Sequence, residues 1–161
     1  MGASHAAVEA IVSLRKLGWQ EEITLIGDED SLPYQRPPLS KGYLKDEISL
    51  EKMALRPPEF YQKSSVNLLL GRKVIEIDRK SKLVKLDNGM HVQYEKLILA
   101  TGTRPKKLTV KGSKLNQINY LRTLKDVDHI KNIIKKDTKV LVVGAGYIGL
   151  ELAASATKQK A

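Results

Sequence analysis

One stretch constrains the fold of this chain more than any other. Lys139-Val-Leu-Val-Val-Gly-Ala-Gly-Tyr-Ile-Gly-Leu-Glu-Leu-Ala153 sets Gly144, Gly146 and Gly149 between an apolar run and a helical pattern. Val140 to Val143 are a short run of the kind a buried parallel strand needs, and Tyr147 to Ala156 carry Ile148, Leu152 and Ala156 at helical spacing. In that setting each glycine has a task. Gly144 allows the tight turn, Gly146 lets the backbone approach a pyrophosphate, and Gly149 lets the helix pack closely on the strand. The helix N-terminus then offers N–H groups without intrahelical partners and roughly half a positive charge to an anion. An ordinary strand-turn-helix with no ligand is the alternative reading of the same pattern.

A weaker copy of the signature opens the chain. Met1-Gly2-Ala3-Ser4-His5-Ala6-Ala7 leads into Val8 to Leu17, where Ala7, Ala10, Ile11, Leu14 and Leu17 recur at i, i+3, i+4 and i+7 before Gly18 closes the helix. Ile23-Thr-Leu-Ile-Gly27 then reads as a strand. Asp28 follows it about twenty residues after Ala7, the spacing at which an acid meets a ribose hydroxyl. Ser4 and Ala7 stand where the second and third glycines would be. The strand expected ahead of Gly2 is missing from the sequence, and so is the acid expected after Gly149, so both units read as incomplete.

Between the two fingerprints lies Leu32-Pro-Tyr-Gln-Arg-Pro-Pro-Leu-Ser-Lys41, too rich in proline for a helix or a central strand. Its prolines would hold Arg36 and Lys41 on a stiff loop, which taken alone reads as a surface connector with solvated charges. Lys96-Leu-Ile-Leu-Ala-Thr-Gly-Thr-Arg-Pro105 ends an apolar strand in a glycine-containing turn whose backbone could touch a ligand. The rest reads as scaffold. Pro57 to Lys63 suggests a short helix with proline at its first turn, and Val66 to Leu70 a strand. Lys73 to Ile77 suggests another strand, and Lys82 to Leu86 and His91 to Tyr94 flank the hairpin signal Asp87-Asn88-Gly89. Thr123 has the features of an N-cap with Asp126 three residues on, starting a helix through Ile130, Ile133 and Ile134. Trp19, just past a helix-ending glycine, reads as a packing residue. His91 and His129 have no partners at metal-ligand spacing, so no metal site is expected.

Cysteine is absent from all 161 residues, so these residues cannot form a redox-active disulfide. The formal charge of +10 admits two readings, a lysine-rich solvated surface or a face that steers an acidic partner. Lys106-Lys107, Lys135-Lys136 and Arg79-Lys80-Ser-Lys82 are short and scattered, without the interleaved aromatics of a nucleic-acid module. With no long apolar run and no signal peptide, the expected setting is the cytoplasm and not a membrane.

Taken in order, Gly2-Ala-Ser-His-Ala-Ala7, Gly27-Asp-Glu29, Leu32 to Lys41, Leu99-Ala-Thr-Gly-Thr-Arg-Pro105 and Gly144-Ala-Gly-Tyr-Ile-Gly-Leu-Glu151 resemble the FAD-dependent pyridine nucleotide-disulfide oxidoreductases. The likeness is to the ferredoxin and rubredoxin reductase type, whose relatives include the apoptosis-inducing factors. The proline-arginine-lysine phrase is its most specific element.

The resemblance implies an α/β fold. A Rossmann-like FAD-binding domain over 1–105, with a parallel sheet and an antiparallel insert, is followed by a linker at 106–119. The beginning of a Rossmann-like NAD(P)-binding domain follows at 120–161. It implies FAD and NAD(P)H as cofactors. Gly2, Ala3, Ser4, His5 and Ala6 would hold the FAD pyrophosphate and Asp28 its adenosine ribose, with the backbone at Val74 meeting the adenine. His5 is left open between touching the cofactor and facing solvent. Arg36 and Lys41 would approach the pyrophosphate and the isoalloxazine, where fixed positive charge favours the anionic reduced ring. Ala100, Thr101, Gly102 and Arg104 would line the flavin side. Gly144, Gly146, Tyr147, Ile148 and Gly149 would receive NAD(P)H, with Glu151 near the nicotinamide end. Lys41 and Glu151 are the two catalytic candidates.

The implied activity is electron transfer from NAD(P)H through flavin to a ferredoxin or rubredoxin, weak or absent in this portion alone. Two alternatives stand beside it: a nucleotide-binding interaction protein in the manner of the apoptosis-inducing factors, and a noncatalytic remnant.

Overall fold

A computed structural model describes residues 1–158. Its elements run α1 (His5–Lys16), β1 (Ile23–Ile26), a 3-10 turn (Pro37–Ser40), α2 (Leu50–Met53), α3 (Pro58–Lys63), β2 (Val66–Leu69), β3 (Val74–Asp78), β4 (Leu83–Leu86), β5 (His91–Gln93), α4 (Leu124–Ile133) and α5 (Tyr147–Lys158). The chain divides into two compact units, and the division does not follow chain order. One unit joins Met1–Gln35 to Ala54–Gly102, the other Arg36–Met53 to Thr103–Ala161.

In the first unit β1 and β2 pair in parallel from Ile23 opposite Val66 to Ile26 opposite Leu69. β3, β4 and β5 form a separate antiparallel sheet, with a register irregularity between Val74 and Glu76. The Asp87-Asn88-Gly89 turn closes as its residues demand. Gly89 adopts a φ of 85°, which β-carbon sterics disfavour elsewhere, and its N–H donates to the Leu86 carbonyl. Ala7, Ile11, Leu25 and Tyr61 form one core between α1, β1 and α3, and Ile26, Val84 and Leu86 form a second against the insert. Val74 packs its side chain into that second core.

The expected helix face holds at Ala7 and Ile11 but not at Leu17, which is 85% exposed. The helix ends at Lys16, and Gly18 at φ 86° turns the chain away before Leu17 can face inward. Arg15 ties that end down, donating to the carbonyls of Trp19, Glu21 and Ser64.

The strand expected to end at Ala100 is not formed. Its backbone instead makes two hydrogen bonds with Met1: the Ile98 carbonyl accepts from the Met1 amino group at 2.7 Å and the Ala100 N–H donates to the Met1 carbonyl at 2.8 Å. Gly2 bonds on the other side, its N–H donating to Ile26 at 2.8 Å. A cavity of about 640 Å³ opens beside these residues, lined by α1, β1 and residues 90–100.

In the second unit α4 begins with the full capping box at Thr123 and Asp126 and buries Leu124, Val127 and Ile130. It holds the 36–53 segment by polar contacts. The Tyr43 hydroxyl donates to Asp128 at 2.9 Å, Lys131 donates to Asp46 at 2.7 Å, and the Lys131 ammonium lies 3.9 Å from the Tyr43 ring centre. The proline-rich phrase, expected to be irregular, makes one 3-10 turn at Pro37–Ser40, with a proline in its opening positions.

The strand expected at residues 140–143 is absent. The segment joins neither sheet, and Leu141 and Val143 are 88% and 71% exposed. An apolar run forms a ladder only when another strand meets its N–H and C=O groups, and among the described residues none does.

Candidate functional site

Within the first unit the predicted ligand loop is built by close backbone approach. Gly2 has a φ of 99°, and a β-carbon on it would overlap the Ala100 carbonyl oxygen. Gly27, buried at the end of β1, leaves 2.5 Å between such a β-carbon and the Ala3 methyl. Residues 2–4, the end of β1 and Ala100 therefore form one tight cradle that only small residues permit. Ser4 caps α1 in extended conformation without a side-chain cap bond, and the first turn holds no acidic residue. His5 and Ala6 are exposed in that turn, and Asp28 is exposed just past Gly27. A helix N-terminus with no carboxylate in its first turn and no side-chain cap fits a diphosphate. Thr101 and Gly102 are exposed beyond the cradle, Gly102 at φ 63°.

The second unit holds the other fingerprint. Gly144 takes a φ of 114°, and a β-carbon on Gly149 would overlap the Gly144 carbonyl oxygen, so the third glycine is what allows α5 to start against the loop. Gly146 faces open space, Tyr147 is 88% exposed, and the first turn of α5 again has no acidic residue. This loop also fits a diphosphate, on the same grounds.

One turn further along α5, Glu151 meets the proline-rich phrase. Its Oε1 lies 2.9 Å from the Lys41 ammonium, and its Oε2 accepts from the Ser40 hydroxyl at 2.6 Å. These two contacts, Ser40 first and Lys41 second, hold the Glu151 carboxyl below the ordinary carboxylate range. Arg36 reaches the Arg122 carbonyl at 2.8 Å. A groove of about 260 Å³ is lined by Arg36, Lys41, Ile148 and Glu151 together with Ser40 and Arg122. Four of the predicted site residues thus come together within this unit, and the two catalytic candidates are directly paired. Arg104 belongs to the same unit but does not line this groove.

Two serines escaped the reading of the sequence. Ser40 is buried at 3% exposure, and its carbonyl accepts from the hydroxyl of Ser155, itself 5% exposed, at 2.8 Å. The signal was available: Ser40 precedes Lys41, and Ser155 lies four residues after Glu151, on the same helix face.

Known proteins are similar to this chain along nearly all of its length. A rhodocoxin reductase of Rhodococcus erythropolis is 42% identical over 99% of this chain and 37% of its own length, and a rubredoxin-NAD(+) reductase of Pseudomonas putida is 38% identical over 97% and 40%. Among solved structures, one chain of a covalent putidaredoxin reductase–putidaredoxin complex superposes with a TM-score of 0.89 and 41% identity, covering 98% of this chain and 39% of that one. The chain thus spans about two-fifths of the length of the relatives it matches. Residues 1–161 match the family described as pyridine nucleotide-disulphide oxidoreductase, and this chain belongs to that family, with relatives of the ferredoxin and rubredoxin reductase type.

Proposed function

We propose that this chain carries the flavin site and the first part of the nicotinamide site of an NAD(P)H-dependent ferredoxin or rubredoxin reductase. The observation that carries the reading is the Lys41–Glu151 pair at 2.9 Å, which joins the proline-arginine-lysine phrase to the helix that follows Gly144, Gly146 and Gly149. The two features lie 110 positions apart in the chain and meet at this pair, which supports a role for both at one ligand.

In this reading the backbone of Gly2, Ala3, Ser4, His5 and Ala6 holds the FAD diphosphate at the start of α1, and Asp28 holds the adenosine ribose. The backbone at Val74 meets the adenine. Ala100, Thr101, Gly102 and Arg104 line the flavin side. Arg36 and Lys41 place positive charge near the diphosphate and the ring. Gly144, Gly146, Tyr147, Ile148 and Gly149 receive the NAD(P)H diphosphate, and Glu151 lies toward the nicotinamide end. Bound FAD supplies the chemistry that no side chain here has, taking two electrons as a hydride and releasing them singly.

The work of Lys41 is electrostatic. One ammonium N–H donates to Glu151, and in this reading the other two face the ligand. No thiol competes as an electron store, since cysteine is absent. An acidic iron-sulfur protein is the acceptor class, supported by the +10 formal charge. The setting is the cytoplasm, where NAD(P)H is supplied. These 161 residues are expected to bind flavin and to turn over an acceptor weakly or not at all.

The test is flavin retention by the purified chain, followed by reduction with NADH and with NADPH. Bound flavin that either nucleotide bleaches supports both halves of the site. Bound flavin that neither bleaches removes the nicotinamide half.

A further inference from the structure

We propose that Ser40 and Ser155 are positioning residues that fix the Lys41–Glu151 pair in one arrangement, Ser40 by occupying one oxygen of Glu151 and Ser155 by anchoring the backbone of Ser40. The inference rests on the proposed function for its consequence, but its geometry is independent of any ligand.

The Lys41–Glu151 contact could not hold itself. The Lys41 side chain is 51% exposed and that of Glu151 30%, and an ion pair so open to water gains at most about 1 kcal/mol while restraining two long side chains. Left alone, the ammonium would sample several rotamers and the carboxylate would turn either oxygen toward it. Ser40 removes that freedom. Its hydroxyl has one proton to give and two carbonyl or carboxylate oxygens in range, Glu151 Oε2 at 2.6 Å and the Pro37 carbonyl at 3.5 Å. The shorter bond to the charged oxygen wins, because charge-assisted hydrogen bonds are about twice as strong as neutral ones. With Oε2 held by a buried residue, Oε1 is the oxygen turned to Lys41.

Ser40 must in turn be held, and α5 supplies the means. Glu151 and Ser155 are four residues apart and share a face, so one face of the helix reaches Ser40 twice: Glu151 accepts a hydrogen bond from its hydroxyl and Ser155 donates to its carbonyl at 2.8 Å. The backbone N–H of Lys41 donates to Pro38 at 3.0 Å, closing the turn from which the lysine departs. The lysine, its partner and the helix after the glycine loop are thereby set by two hydroxyls. A purely structural pair of serines would stabilise the helix contact without touching the carboxylate. Here the chain of bonds ends on it.

The test is an NMR titration of the Glu151 side-chain carboxyl in the 161-residue chain, comparing wild type with Ser40→Ala, Ser40→Thr and Ser155→Ala, with flavin retention measured in parallel. Ser40→Ala should move the Glu151 midpoint up toward the ordinary carboxylate value, and Ser40→Thr, which keeps the hydroxyl, should restore it. Ser155→Ala should move it in the same direction by a smaller amount. A midpoint unchanged in Ser40→Ala with amide spectrum intact overturns the proposal. Should Ser40→Ala not fold, an unchanged midpoint in Ser155→Ala overturns it equally. A raised midpoint in a chain that retains no flavin leaves the positioning in place and removes the proposed function. Retained flavin with an unchanged midpoint does the reverse.

Discussion

Gly2 lies so close to Ala100 that a β-carbon on it would overlap the Ala100 carbonyl oxygen. The same residue has a φ of 99° and donates its N–H to Ile26 at 2.8 Å, so its side is closed by one segment and its backbone by another. Gly2→Ala meets both the left-handed strain and the carbonyl. It should lower the unfolding free energy by more than about 1 kcal/mol and abolish flavin retention. Urea denaturation and absorbance after desalting check the two effects separately.

Glu151 makes a pH-dependent contribution to stability. Its folded carboxyl is held below the ordinary range, by Ser40 first and Lys41 second. A carboxylate depressed in the folded state adds stability above its unfolded value, and that stability is lost as pH falls through the folded one. In Glu151→Gln this contribution is absent at every pH. The stability difference between wild type and variant should therefore shrink on acidification from neutral pH, as urea midpoints across a pH series will show.

Tyr43 acts at the other end of the scale. Burial first, and then its hydrogen bond to Asp128, push its hydroxyl up to about 12. A hydroxyl raised in the folded state adds stability that is present below the unfolded value and lost as pH rises through the folded one. Tyr43→Phe should remove one high-titrating tyrosinate from the alkaline absorbance titration, leaving Tyr61, which burial also raises to about 12.

The capping box of α4 should be worth a conventional amount. Thr123 accepts from the Asp126 N–H at 3.2 Å, and Asp126 accepts from the Thr123 N–H at 2.7 Å. Thr123→Ala should cost about 1 kcal/mol and Thr123→Ser much less, read from thermal unfolding of the three proteins.

What could be read in advance divides by the range of the interactions involved. The capping box, the Asn88-Gly89 hairpin and the Gly144–Gly149 loop rest on contacts within a few residues, and they stand where local chemistry puts them, whereas the Gly2 loop is closed by Ile26 and Ala100 from far along the chain. The apolar run 140–143 looks like a strand because hydrophobicity and β-branching are local, but a ladder is made by a partner, and among the described residues none is paired with it. Leu17 fits the α1 periodicity and still lies outside, because Gly18 ends the helix one residue too early for it. Pairing of Lys41 with Glu151 spans 110 positions of chain, and only the resemblance to known reductases put both residues near one ligand. Ser40 and Ser155 had only their spacing to Lys41 and Glu151 to mark them. A serine in a quoted motif and a serine on a helix are ordinary until the fold brings one against the other.

The central claim is that this chain holds a flavin through the proline-arginine-lysine phrase. The most direct test is the absorbance spectrum of the purified chain after incubation with FAD and desalting, with Arg36→Ala and Lys41→Ala alongside. Flavin retained by wild type and weakened in both variants is the predicted result. A colourless wild-type chain, or variants that retain flavin as well as wild type does, would contradict it.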